Sequence, residues 1–211
     1  MIRVEHVEVS NFEGAIRGLR NPMNSWDKSD SIFVVTGANG SPEIQARIGE
    51  NDLNLMRRLY KAGTEHRTYA RMIQVSMDIT APLYWWKEMD RYTVGKSQVS
   101  CSTMHKIAAK EFELDDFSHE HLIKGTSIII LNGVINLMNQ YRNQYLSTKN
   151  KEYWWQLIQL LPSSYNQRRT VCMSYETVFK IIKERTGHKL DEWRDFVEIL
   201  RGLPYVADIV G

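Results

Sequence analysis

The sequence predicts an α+β fold in one domain spanning residues 1–211, with a few strands early and helices dominating the C-terminal half. Two observations carry this. Apolar and charged residues alternate at Ile2, Val4, Val7 and Val9, and again at Ile73, Val75, Met77 and Ile79, the period of a half-buried strand. Beyond His119 the apolar residues recur instead at helical spacing through Leu122, Ile129, Ile130, Val134, Leu137 and Met138. A chain of 211 residues is long enough to bury a substantial core.

In order along the chain, the first strand at Ile2–Val9 is followed by a short helix near Glu13–Leu19 and a polar, turn-rich loop from Asn21 to Ser31. SIFVVTGANG reads as a second strand ending in a glycine turn. It lacks the glycine spacing and the Lys-Ser/Thr of a phosphate loop. A helix starts at Asp52, which can cap it, shows a stripe of Leu55, Met56 and Leu59, and stops at Gly63. The strand at Ile73–Ile79 leads to Thr80 as a helix cap, with Pro82 in the first turn, where a missing N–H costs little. Leu83, Trp86 and Met89 or Asp90 share one face of that helix, and Tyr84, Glu88 and Arg91 another. Further helices are expected over His119–Tyr145, Tyr153–Leu161 (stopped by Pro162), Cys172–Arg185 and Leu190–Leu200.

Composition excludes several classes. The formal net charge of +2 is too small for a general nucleic-acid surface, so any basic site is local. Two cysteines, Cys101 and Cys172, supply neither a disulfide framework nor a four-cysteine zinc site, and a reducing cytoplasmic setting is expected. MIRVEHVEVS lacks the apolar core of a signal peptide. The most apolar run, SIIILNGVINLM, is interrupted by Asn132, Gly133 and Asn136 and is shorter than the roughly 20 residues that span a bilayer. His119 and His121 are spaced for a shared strand face, and no further ligands complete a metal site around them.

The richest stretch is Ile79–His105, ITAPLYWWKEMDRYTVGKSQVSCSTMH. Tyr84, Trp85 and Trp86 lie beside Glu88, Arg91, Lys96, Gln98, Ser100, Cys101 and Ser102, a combination suited to a ligand with a π-face and a phosphate. A buried helix followed by a serine-rich loop accounts for the same composition.

The order of helix, alternating strand, Ala-Pro, aromatic helix, arginine and serine-rich loop resembles flavin-dependent thymidylate synthase, the ThyX family. DLNLMRRLYKAGTEH is similar to that family's first helix and histidine turn, and RMIQVSMDITAP to its strand. Glu88 then stands where the family has glutamine, and Arg91-Tyr92-Thr93 where it has Arg-His-Arg. Beyond seven further residues comes Cys101, flanked by Ser100 and Ser102, at the place of the signature serine. Ala46-Arg47-Ile48 is similar to the Ala-Arg-Val/Ile that precedes the first helix, and Glu192-Trp193-Arg194 to the late Glu-Ile-Arg. The resemblance covers roughly residues 46–200. Its departures are the absent histidine and second arginine, Tyr69-Ala70-Arg71-Met72 in place of Pro-Phe-Glu-His, and Ser174-Tyr175-Glu176-Thr177 in place of Asn-x-Arg-Ser.

The resemblance implies a ThyX-like domain with a small antiparallel sheet. It also implies reductive methylation of dUMP to dTMP, with methylenetetrahydrofolate giving the carbon and FAD, reduced by NADPH, giving the hydride. It assigns Glu88, Arg91, Ser100, Ser102 and Arg194 to substrate and His66, Tyr92, Lys96 and Gln98 to the cofactor, and it implies a homotetramer. Arg91 and Cys101 are the catalytic candidates, the thiolate of Cys101 being a competent nucleophile for a conjugated ring carbon. Each has a plainer alternative. Arg91 can pair with Glu88 or Asp90 on a solvated helix, Arg194 with Asp191 or Glu198, Ser100 and Ser102 can cap the next helix, and Cys101 can pack in a core. In the pairs Trp85-Trp86 and Trp154-Trp155, one ring is expected in the core and the other at a ligand or subunit contact. Three functional classes stay open: an active nucleotide methylase, a degenerate relative that binds a nucleotide or a protein, and an assembly protein of a phage or mobile element.

Overall fold

A computed structural model describes residues 1–36 and 43–211. Its elements are β1 (Arg3–Ser10), α1 (Phe12–Arg20), β2 (Ile32–Thr36), β3 (Glu43–Arg47), α2 (Glu50–Ala62), β4 (Gln74–Pro82), α3 (Leu83–Met89), β5 (Lys96–Ser100), α4 (Ser127–Thr148), α5 (Lys151–Leu160), β6 (Asn166–Ser174), α6 (Tyr175–Arg185), α7 (Asp191–Arg201) and α8 (Val206–Val210). About half the residues are helical and about a fifth are in strands, the expected α+β class. One sheet has the order β1-β4-β6-β5. β2 and β3 form a separate antiparallel pair with Ile32 opposite Arg47 and Phe33 opposite Ala46. The glycine turn expected at TGANG falls on residues 37–40, outside the described residues. No helix among the described residues is long and apolar enough to cross a membrane.

The structure moves several expected boundaries. The segment before α6, expected to open a helix at Cys172, is the long strand β6. Its Gln167, Val171 and Met173 point to the core at strand period, and the arginines between them conceal that alternation in the sequence. Residues 119–126 are turns, so the long helix starts at Ser127. Trp85 and Trp86 are both buried, contrary to the expected division. α3 has only seven residues, and its neighbours cover both rings, which meet edge-on at 4.8 Å. In the second pair Trp154 is half-buried against the core cluster and Trp155 is 44% exposed.

The chain forms two compact units, and every strand of the four-stranded sheet contributes residues to both. The first unit holds residues 1–5, 78–92 and 98–171. Its core packs Ile107, Phe112 and Phe117 against Leu131, Ile135 and Met138 of α4 and Leu157 of α5. Asn139 ties the 112 turn to α4 by a reciprocal pair of hydrogen bonds, Nδ2 donating to the Phe112 carbonyl and Oδ1 accepting from its N–H. The outer face of α4 is apolar and is left uncovered by the described residues, with Ile129 64% and Ile130 69% exposed.

The second unit holds residues 6–77, 93–97 and 172–211. Its polar anchor is Asp52, which is fully buried. One carboxylate oxygen accepts from Arg20 Nε at 2.8 Å and lies 2.7 Å from its second guanidinium nitrogen. The other accepts from the hydroxyls of Ser29 and Ser31 and the N–H groups of Asp30 and Ser31. Asp52 therefore does not cap α2. Gly49 occupies the cap position, and the carboxylate of Asp30 accepts from the N–H groups of Asn51 and Asp52. That approach requires glycine, because a Cβ on Gly49 would sit 2.2 Å from the Asp30 carboxyl carbon and 2.5 Å from its carbonyl oxygen.

Burial works to raise the pKa of Asp52, but the hydrogen bonds from Ser31, Ser29 and Arg20 outweigh it and hold the carboxyl below its ordinary value. A lowered carboxyl pKa stabilises the fold above the unfolded value near 3.8 and loses that contribution as pH falls through the folded value. Urea midpoints are therefore expected to fall below about pH 4, and Asp52→Asn is expected to flatten that part of the profile. Asp52→Ala, which leaves Arg20 buried without its counter-charge, is expected to cost about 3–5 kcal/mol in equilibrium unfolding.

Candidate functional site

Three consecutive residues of β6 organise the polar surface of the first unit. Arg169 is nearly covered, and its guanidinium carbon lies 4.2 Å from the Trp86 ring centroid, a cation–π contact. Its NH1 donates to Asp90 Oδ1 at 2.7 Å and its Nε to Gln167 Oε1 at 3.0 Å. Trp86 in turn donates its indole N–H to the Gln167 carbonyl at 2.9 Å. Arg168 donates to Asp78 Oδ2 at 2.6 Å, and the hydroxyl of Thr170 donates to the other oxygen of that carboxylate. A planar, always-charged group clamped on one face and two edges is a rigid local field, more so than a lysine could be.

The same strand pins the segment that follows β5. The Cys101 N–H donates to the Arg168 carbonyl at 3.0 Å, and Gln167 Nε2 donates to the Cys101 carbonyl at 2.7 Å. The backbone of Cys101 is thus held from both sides while its thiol is exposed. Gln98 donates to Asp90 Oδ1 at 2.7 Å, so Asp90 gathers both Gln98 and Arg169. Ser100 is exposed at the end of β5. Ser102 caps a turn and no helix: its hydroxyl accepts from the N–H groups of Met104 and His105.

Arg91 does not pair with Asp90, whose carboxylate is occupied by Arg169 and Gln98. Its side chain is exposed and has no hydrogen-bond or ion-pair partner among the described residues. Glu88 is half-buried on α3, and Tyr92 is a core residue, 4% exposed. In the second unit His66 is exposed in the turn after α2, Lys96 is half-buried at the start of β5, and Arg194 is engaged on α7. Arg194 forms an ion pair with Asp191 and donates to the carbonyls of His188 and Lys189, the plainer of its two sequence readings. Of the four residues that the resemblance assigns to FAD, His66 is exposed, Lys96 is half-buried, the Gln98 amide is engaged by Asp90, and Tyr92 spends its ring on packing. His66 and Lys96 belong to the second unit, and Gln98 and Tyr92 to the first.

Sequence reasoning missed Gln167, Arg168 and Arg169, which contribute most of the polar contacts here. The available signal was the run Gln-Arg-Arg-Thr ahead of Val171 and Met173, whose apolar positions alternate. Asp78 and Asp90 were also passed over as ordinary strand and helix carboxylates, although each receives an arginine from β6.

No protein-family model and no curated protein matches the chain by sequence. By structure it is similar to thymidylate synthase X (ThyX) of Helicobacter pylori with FAD and dUMP, at a TM-score of 0.67 and 16% identity, covering 100% of this chain and 99% of that one. A second structure of the H. pylori enzyme, also complexed with FAD and dUMP, gives a TM-score of 0.67 at 15% identity over 99% and 97%. The UMP/dUMP methylase PolB of Streptomyces cacaoi, bound with 5-Br UMP, gives 0.61 at 12% identity over 95% and 87%. The chain has the fold of ThyX enzymes and of a ThyX-like nucleotide methylase.

Proposed function

We propose that the protein is a flavin-dependent nucleotide methylase of the ThyX kind. It would convert dUMP to dTMP as a single cytoplasmic domain, using methylenetetrahydrofolate, FAD and NADPH. The observation that carries this reading is the clamp of Trp86, Gln167, Arg169 and Asp90, which fixes the strand end bearing Ser100, Cys101 and Ser102. It occurs in a fold shared with structures of ThyX complexed with FAD and dUMP.

In this reading the free guanidinium of Arg91 and the hydroxyl of Ser100 take the nucleotide phosphate by charge-assisted and neutral hydrogen bonds. Glu88, a carboxylate, accepts from a ring N–H or a ribose hydroxyl. Arg169 holds positive potential at a fixed position, where enolate charge on the ring would be stabilised. Cys101 is the nucleophile: its thiolate adds to C6 of the uracil, and the C5–C6 π pair shifts towards C5 and O4. C5 then bonds to the methylene carbon of methylenetetrahydrofolate as one of its two C–N bonds breaks. The C5 proton passes to water, and breakage of the second C–N bond releases tetrahydrofolate and leaves an exocyclic methylene. Hydride addition to that carbon and departure of the thiolate restore the C5–C6 double bond. FAD, when bound, supplies the hydride that completes the methyl group, with Gln98 among the residues that would hold it. Assembly into a homotetramer is supported by the apolar outer face of α4, which carries no charged residue from Ser127 to Tyr141.

A second reading, a relative that binds nucleotide without redox chemistry, is favoured by two observations. Tyr92 is buried where the family has a histidine, and Arg194 is tied to Asp191. Purified protein separates the readings. The first expects the visible absorbance of oxidised flavin, and a colourless protein that FAD does not stabilise would sink it. Both readings expect dUMP at a hundredfold its Kd to stabilise by about 2.7 kcal/mol, a Tm rise of about 5–10 °C. Cys101→Ser is expected to lower kcat at least about a hundredfold with the dUMP-induced Tm rise intact, in a single-turnover assay of labelled dUMP. Arg91→Ala is expected to weaken dUMP about tenfold or more by calorimetry. Arg169→Lys, which keeps the charge and loses the planar fork, is expected to lower kcat rather than raise KM.

A further inference from the structure

The methylase reading leaves unused one of the two tryptophan pairs and the cleft that it borders. This cleft, of about 390 Å³, lies within the first unit between the turn at Met104–Ala108 and the end of the α4–α5 hairpin. Its floor is built: Ile107 and Ala108 are buried in the core cluster that includes Leu131, Met138 and Leu157. Its aromatic walls are Tyr145 and Trp154, both half-buried and packed on that cluster. The Trp154 ring is fixed further by its indole N–H, which donates to the Met104 carbonyl at 3.1 Å. Arg142 Nε donates to the Ala108 carbonyl at 3.0 Å and ties the turn to α4.

The rim is cationic. Lys151 Nζ lies 5.9 Å from the Trp154 ring centroid and 5.8 Å from that of Trp155, and Lys149 Nζ lies 5.9 Å from the Tyr145 ring. Neither ammonium has an ion pair among the described residues, and no carboxylate lines the cleft. His105 adds a third nitrogen base at the opening. Ring faces over an apolar floor accept a planar heterocycle, and stacking of this kind tolerates any base. Two lysines supply point charges of the kind that bind a phosphate group. The volume lies at the small end of ligand pockets, enough for one nucleotide unit.

We propose that this cleft is a second nucleotide site, which binds a nucleoside monophosphate of any base between Tyr145 and Trp154 with its phosphate on Lys149 and Lys151. It does not rest on the methylase reading, because none of its lining residues is assigned there. AMP is the probe, since a uracil-specific methylation site does not call for it. Titration of the full-length protein with AMP is expected to quench tryptophan emission saturably, and adenosine, lacking the phosphate, is expected to bind at least tenfold more weakly. Lys149→Ala/Lys151→Ala is expected to weaken AMP at least tenfold, while Arg91→Ala leaves it unchanged. Both lysines are exposed, so the double variant is expected to keep the wild-type Tm. No saturable AMP response, a response equal for AMP and adenosine, or one lost in Arg91→Ala but kept in the double lysine variant would each overturn the proposal. A colourless protein that ignores dUMP would defeat the methylase reading and leave these AMP outcomes intact.

Discussion

Gln167, Arg168 and Arg169 reach in three directions from one stretch of β6, and the polar surface of the first unit follows from where they land. Arg168 takes Asp78, Arg169 takes Asp90 and the face of Trp86, and Gln167 takes the Cys101 carbonyl. Each contact joins β6 to a different neighbour in the chain: β4, α3 and the segment after β5. The arrangement is coupled, because Gln167 accepts from Arg169 and its carbonyl accepts from Trp86. Cooperative networks of this kind are worth more than the sum of their pairs when every member is satisfied. The orientation of the exposed thiol and hydroxyls next to Cys101 therefore depends on a strand some 65 residues further along the chain.

The parts of the fold that were legible in the sequence are those where hydrophobic period and burial coincide. β4 shows it in its alternation, and α2, α5 and α7 in their apolar stripes, so their types and approximate limits could be read directly, whereas β1 was legible from its sequence period alone, since none of its residues is buried. β6 was hidden because two of its residues are long cations with paired heads, one of them, Arg169, nearly covered, so a partly buried position wears a charged residue's name. The start of α4 was misplaced for the opposite reason: Leu122 and Ile123 continue its apolar pattern back through the irregular segment that precedes Ser127. Asp52 looked like a cap because it opens an apolar stripe. Its real partners, Arg20, Ser29 and Ser31, are separated from it by more than a helical turn of sequence and could not be read from its neighbours.

The candidate site was legible as a region and illegible as a set of contacts. The stretch Ile79–His105 does hold the exposed groups Arg91, Gln98, Ser100 and Cys101. Local sequence could not reveal that Asp90 belongs to Arg169 and not to Arg91, and that competition is what leaves Arg91 available to an anion. In the same way Tyr92, adjacent to an exposed arginine, turns inward, because its backbone N–H closes a turn on the Met89 carbonyl at the end of α3. The choice between a ligand residue and a core residue is made there by one step of backbone rotation.

The close approach of Gly49 to Asp30 carries a consequence for how this protein can diverge. A side chain at position 49 is barred by the Asp30 carboxylate, and the carboxylate is retained because it satisfies the first amides of α2. Replacement of Asp30 by a smaller residue would leave the helix start uncapped without admitting a side chain at 49, because the backbone carbonyl oxygen of residue 30 would still lie 2.5 Å from its Cβ. A change at either position alone is thus penalised, and the two residues constrain each other across the 18 residues between them.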